Sequence, residues 1–133
     1  MDNNLKDACK ILIVEDHDSL RESICNWLTD LFPDIVAYQA STGERAIEVA
    51  TDIKPDIILM DIGLPGINGI EAMKEIHSRD IPAKVVVLTI LDGEGYREKA
   101  LKSGAVEFIP KSEMNTELPS ILFRLMNPKT SLS

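Results

Sequence analysis

Five short apolar runs punctuate the chain: KILIV (10–14), IVAYQ (35–39), DIILM (56–60), KVVVL (84–88) and AVEFI (105–109). Between them the apolar positions follow a helical period. In DSLRESICNWLTDLF, Leu20, Ile24, Trp27, Leu28 and Leu31 recur at steps of three and four, and in GERAIEVATDI, Ala46, Ile47, Ala50 and Ile53 do the same. Strand and helix alternate five times, which is the order of a parallel α/β sheet with helical crossovers. Trp27, the leucines at its spacing, Met60 and Met73 read as core.

The turn residues agree with this division. Pro33, Pro55 and Pro82 each stand just before a run and stop the preceding helix. Gly104 can take the positive-φ position that ends a helix, Pro65-Gly66 fits a turn, and Ser41 with Glu44 has capping-box spacing for the second helix. Pro119 falls in the last helical segment and is tolerated only in a first turn, so that helix is predicted to start near Thr116.

Polarity within the runs suggests the strand order. The first, third and fourth runs have apolar interiors, as needed when helices cover both faces of a sheet. The second and fifth contain Gln39 and Glu107, which are better tolerated at an edge. The expected fold is therefore flavodoxin-like, with five parallel strands in the order 2-1-3-4-5 and helices on both faces.

That order concentrates chemistry at one end of the sheet. The first run is followed by Glu15 and Asp16, the third by Asp61, the fourth by Thr89, and the fifth, after Pro110, by Lys111. In an open parallel sheet these positions share the carboxyl edge, and ligands bind where the strand order reverses. Like charges about 4 Å apart repel by about 4 kcal/mol near a protein surface, so three carboxylates there call for a cation. Oxygen donors favour a hard ion such as Mg²⁺. Lys111 suits a phosphoryl oxygen, Thr89 can donate to another, and Asp61 can act as a carboxylate nucleophile that forms an acyl phosphate.

Composition narrows the function. The 133 residues suit one domain, read as residues 10–127 between polar tails at 1–9 and 128–133. The net charge of −8 argues against direct nucleic-acid binding. No apolar run approaches the ~20 residues that span a bilayer, so no membrane association is expected. Cys9 and Cys25 lack metal-ligand spacing and suit a reducing compartment, so a cytoplasmic protein is expected. Neither G-x-x-x-x-G-K nor G-x-G-x-x-G occurs, which argues against a nucleotide-binding enzyme.

In order and spacing, ILIVEDH, DIILMDIGLPGINGIEAM, VVVLT and KSGAVEFIPK resemble the receiver domain of two-component response regulators, over about residues 10–125. VEDHDSLRESI and LTILDGEGYREKALKSGA are most similar to receivers of the LuxR-type transcription-factor family. The resemblance implies that Asp61 accepts a phosphoryl group from a sensor histidine kinase. It implies that Asp16 ligates Mg²⁺ directly, Glu15 mainly through water, and Gly63 through its backbone carbonyl. Thr89 and Lys111 would hold the phosphoryl group, and Phe108 would be an aromatic switch that follows Thr89. The output would be a partner or a C-terminal DNA-binding domain, with phosphorylation-linked homodimerisation as a further expectation. The protein would then catalyse at most its own phosphorylation and dephosphorylation. The chain departs from the commoner pattern at Glu15 (often Asp), Ile90 (often small) and Ser112 (often Pro).

Other readings of the same residues remain open. Taken alone, Asp61 is a solvated turn residue, Thr89 a helix N-cap, Lys111 a surface lysine and Phe108 a packing residue. His17 reads as an exposed residue at a helix start, and His77 as a surface residue. Two alternatives for the whole are a receiver fold used as an unphosphorylated scaffold and a Mg²⁺-dependent aspartyl-phosphate hydrolase. The hydrolase usually carries an acid two residues after its nucleophile, where this chain has Gly63.

Overall fold

The computed structural model describes residues 8–91 and 93–127; the expected polar tails fall almost wholly outside these. Five strands, β1 (Lys10–Val14), β2 (Val36–Ala40), β3 (Ile57–Met60), β4 (Lys84–Thr89) and β5 (Glu107–Pro110), alternate with five helices. The helices are α1 (Asp18–Leu31), α2 (Gly43–Ile53), α3 (Gly69–Ser78), α4 (Glu94–Lys102) and α5 (Met114–Met126), the last preceded by a 3-10 turn at Lys111–Glu113. All four strand pairings are parallel and the order is β2-β1-β3-β4-β5, as expected. This is the flavodoxin-like arrangement.

Side chains alternate across the sheet and divide the core in two. Leu12, Val14, Ile58, Met60, Val85, Val87 and Phe108 face one side, where α2, α3 and α4 supply Ala46, Ala50, Ile70, Met73, Ile76 and Ala100. Ile11, Ile13, Ile57, Leu59, Val86, Leu88 and Ile109 face the other, against Ile24 and Leu28 of α1 and Leu118, Ile121 and Leu122 of α5. With both faces covered, the three central strands are buried almost throughout, which explains their unbroken apolar runs.

Local chemistry departs from expectation at several points. Ser41 is not a cap: Thr42 caps α2, its hydroxyl accepting from the Arg45 N–H at 3.0 Å. The reciprocal capping box is at α3, between Asn68 and Glu71. Helix α5 starts at Met114, earlier than Thr116, so Pro119 lies in its second turn. Proline has no N–H to give the carbonyl four residues back, and α5 is held instead by the buried Leu118, Ile121 and Leu122. In α1 only Ile24 and Leu28 are buried; Trp27 packs at the rim of the core and Leu31 is 45% exposed, because the helix meets a twisted sheet along a narrower stripe than its apolar residues span. His77 is half-buried, not on the surface, and its Nε2 donates to the Ala83 carbonyl at 2.9 Å, tying α3 to the entry of β4.

Gly104 does end α4 as expected. At φ 118° it forms a two-bond cap, its N–H donating to Leu101 and that of Ala105 to Ala100. Gly69 has a different constraint. A Cβ there would drive into the Asp61 carbonyl oxygen and lie 2.8 Å from the Ile62 Cα. Only glycine lets α3 start this close to the strand end that carries Asp61.

Candidate functional site

Register brings the polar residues together. Val14 is paired with Met60, and the Asp61 N–H donates to the Val14 carbonyl at 3.2 Å, so Glu15 and Asp61 leave adjacent strands side by side. Thr89 pairs with Pro110, which places Lys111 one residue past the end of β5. Lys111 Nζ donates to Glu15 Oε1 at 2.5 Å and to Asp61 Oδ2 at 3.1 Å. Residues far apart in the chain therefore form one ion-paired centre. The Glu15 and Asp61 carboxylates are nearly covered, with side chains 3% and 8% exposed, while Asp16 is more open at 31%.

A cleft of about 440 Å³ opens above this centre, lined among others by Asp16, His17, Asp61, Gly63, Ile90 and Lys111. A wider groove of about 650 Å³ lies at the opposite edge of the sheet, between the ends of α1 and α5. Among the described residues that line it only Asp34 is charged, so the smaller cleft is the candidate site.

Each predicted residue has a defined place. Asp61 Oδ1 accepts the Gly63 N–H at 2.9 Å, which fixes the carboxylate against its own loop. Thr89 is fully buried and its Oγ1 accepts the Leu91 N–H at 3.1 Å, leaving the hydroxyl proton to donate elsewhere. Phe108 is 5% exposed and packs in the core on the α2–α4 side, with the Arg97 guanidinium 6.0 Å from its ring centroid. His17 sits at the N-cap of α1 with its side chain 73% exposed, as expected, yet its Nδ1 is 3.0 Å from Glu15 Oε2.

Ionisation follows from these contacts. Burial would raise the Glu15 carboxyl, but the hydrogen bond from Lys111, then those from the His17 N–H and ring, outweigh it and hold Glu15 below its ordinary range. Burial would lower Lys111, but the bond to Glu15 and the charge of Asp61 outweigh it and push the ammonium upward. The hydrogen bond to Glu15, and then the charge of Asp16, raise His17. Lys111 pairs with Glu15 and Asp61 while Asp16 lines the same cleft beside them, so the carboxylates there outnumber the one ammonium. That donor set fits a hard divalent cation such as Mg²⁺, with Glu15, Asp16 and Asp61 as the carboxylates able to hold it.

One supporting residue escaped the sequence reading. Arg21 donates to the Glu15 carbonyl and to Gln39 Oε1, each at 2.9 Å, and pairs with Asp18 at 2.8 Å. It braces the loop that carries the acidic pair. The i,i+3 spacing from Asp18 was its only sequence signal, and that spacing does not reveal the bond to Glu15.

Comparison with known proteins agrees with this geometry. The response regulator receiver domain family matches residues 11–123, and the chain belongs to that family. The chain is 35% identical over 102 residues to the response regulator GacA of Pseudomonas aeruginosa, covering 77% of this chain and 48% of that protein. It is 35% identical over 107 residues to the nitrate/nitrite response regulator protein NarL of Escherichia coli, covering 80% of this chain and 49% of that protein. The chain thus spans about half the length of these relatives. Among solved structures, a LuxR-family two-component response regulator from Aurantimonas sp. superposes with a TM-score of 0.82 at 29% identity, covering 91% of this chain and 86% of that one. The protein is a receiver domain of two-component response regulators, with relatives of the LuxR type. Among the described residues no helix is long and apolar enough to cross a membrane.

Proposed function

We propose that this receiver takes a phosphoryl group from a sensor histidine kinase onto Asp61 and uses it to change a partner preference in the cytoplasm. The Lys111 ammonium bridging Glu15 and Asp61 is the observation that carries this reading. A carboxylate oxygen of Asp61 attacks phosphorus, the phosphorus–nitrogen bond to the kinase imidazole breaks, and the nitrogen keeps the electron pair. Gly63 N–H and Lys111 keep the Asp61 carboxylate oriented as the acyl phosphate forms. Lys111 has three N–H groups, two of them already on carboxylates, and the third is available to a phosphoryl oxygen. The Thr89 hydroxyl supplies a second donor. Bound at Asp16, Asp61 and the Gly63 carbonyl, with Glu15 acting through water, Mg²⁺ would neutralise charge on the transferring group.

The signal starts at Thr89. When its hydroxyl turns to the phosphoryl group, the Leu91 N–H loses its acceptor, and the loop between β4 and α4 is biased toward a second arrangement. Phe108, on the neighbouring strand, follows by repacking. The output is a protein partner or a C-terminal DNA-binding domain, with phosphorylation-linked dimerisation as one form of the response. The chemistry is confined to the protein's own phosphorylation and dephosphorylation. The test is incubation with Mg²⁺ and a small phosphodonor, followed by intact mass: the wild type gains one phosphoryl group and Asp61→Ala gains none. Equal labelling of the two would reject Asp61.

A further inference from the structure

The acidic centre has one further donor atom beside its carboxylates. His17 begins α1, but its side chain makes no capping hydrogen bond to the helix, so the ring has no local helical role. Instead Nδ1 is 3.0 Å from Glu15 Oε2 and 3.6 Å from Asp16 Oδ1, and one ligand atom from each of the three residues falls within a common 4.8 Å. The ring lines the same cleft as Asp16 and Asp61. Its backbone N–H is also tied to Glu15 Oε2 at 3.1 Å, which keeps the residue beside the acidic pair while most of the side chain is free to turn.

From this geometry we infer that His17 is a nitrogen ligand of the cation centre and shifts its preference from Mg²⁺ toward transition-metal cations, Ni²⁺ far more than the harder Mn²⁺. The inference rests on the carboxylates holding a cation, as argued above, and adds which cation class they hold with His17. Two ligands about 2.1 Å from a metal and at right angles lie about 3 Å apart, a spacing that a small turn of the exposed His17 ring gives its Nδ1 from Asp16 Oδ1, now 3.6 Å away. The cation would take the place of the proton now shared between Nδ1 and carboxylate oxygen. Glu15 can serve both neighbours because Oε1 faces Lys111 while Oε2 faces His17. An oxygen-only site suits Mg²⁺, whereas imidazole binds Ni²⁺ and its neighbours in the first transition row far better. His77 offers no equal site, since its Nε2 is bonded to the Ala83 carbonyl and its Nδ1 faces Gly104.

The experiment is titration calorimetry of Mg²⁺, Mn²⁺ and Ni²⁺ into the wild type, His17→Ala and His17→Gln. Both variants are expected to weaken Ni²⁺ by about tenfold or more, Mn²⁺ by less, and Mg²⁺ by under about twofold. Gln is the informative substitution, because its amide can donate to Glu15 but lacks the imidazole lone pair. Pulsed electron paramagnetic resonance of the Mn²⁺-loaded wild type should show nitrogen coupling that His17→Gln loses. Recovery of Ni²⁺ affinity in His17→Gln, or equal weakening of Mg²⁺ and Ni²⁺, would overturn the role of His17 and leave the carboxylate centre standing. A wild type that binds none of the three cations would overturn the centre itself.

Discussion

Lys111 Nζ lies 2.5 Å from Glu15 Oε1 across 96 positions of sequence, nearer than its 3.1 Å approach to Asp61 Oδ2. The ammonium is the internal counter-charge of the acidic centre. Lys111→Met should therefore destabilise the fold by about 1–3 kcal/mol, below the 3–5 typical of a fully buried pair because the lysine is partly open to solvent. Mg²⁺ should restore more stability to this variant than to the wild type, since the uncompensated charge raises cation affinity. Urea unfolding with and without Mg²⁺ measures both effects.

The same pair has a defined pH window. Glu15 is depressed in the fold, so its contribution is present above the ordinary carboxyl value of 4.5 and is lost as pH falls through the lower folded value. Lys111 is raised, so its contribution is present below 10.5 and is lost as pH rises through the higher folded value. In a His17→Ala background, which removes the one imidazole that also senses Lys111, the stability cost of Lys111→Met should be flat from about pH 5 to about pH 10 and close on either side. A gap that persists unchanged at pH 3 would contradict the pairing.

Gly69 and Gly63 flank Asp61 but differ in what they tolerate. Gly69→Ala forces a methyl against the Asp61 carbonyl and the Ile62 backbone and should cost about 1–3 kcal/mol. A Cβ at Gly63 would meet Asp61 Oδ1 at 3.5 Å and Leu91 Cδ1 at 3.6 Å, which are ordinary contacts. Gly63→Ala should lie within about 1 kcal/mol of the wild type in the same urea assay.

Thr89→Ala should accept phosphate near the wild-type level yet transmit it poorly, because it removes the donor to the phosphoryl group and the acceptor of the Leu91 N–H. Thr89→Ser keeps both and should retain the response. Backbone NMR shifts in α4 before and after phosphorylation separate the three proteins.

Cys9 is pushed up to about 11 by burial and then by the charge of Asp56, against an ordinary value of 9.0, so at pH 8 its thiolate is about 100-fold rarer than that of an ordinary cysteine. In a Cys25→Ser background, iodoacetamide should label the folded protein about 100-fold more slowly than the urea-unfolded chain. Because the folded value is raised, Cys9 favours the fold below pH 9 and loses that contribution as pH rises toward 11.

Much of this protein was legible in its sequence, because the relevant physics is local and periodic. Runs such as KILIV and KVVVL, short, rich in β-branched residues and set between turn residues, read as strands covered on both faces, and Gln39 and Glu107 marked the edges correctly. Once the strand order was known, Glu15, Asp61 and Lys111 had to share one end of the sheet. Tertiary structure decided what depends on distant neighbours. It chose Thr42 over Ser41 as a cap, carried α5 past Pro119, half-buried His77 against Ala83, and gave Arg21 the Glu15 carbonyl. It also turned the His17 ring onto Glu15 and set Lys111 between two carboxylates. A pattern in sequence records which face of an element is apolar, but a hydrogen bond or ion pair across the fold depends on register and helix placement, which the packed core alone sets.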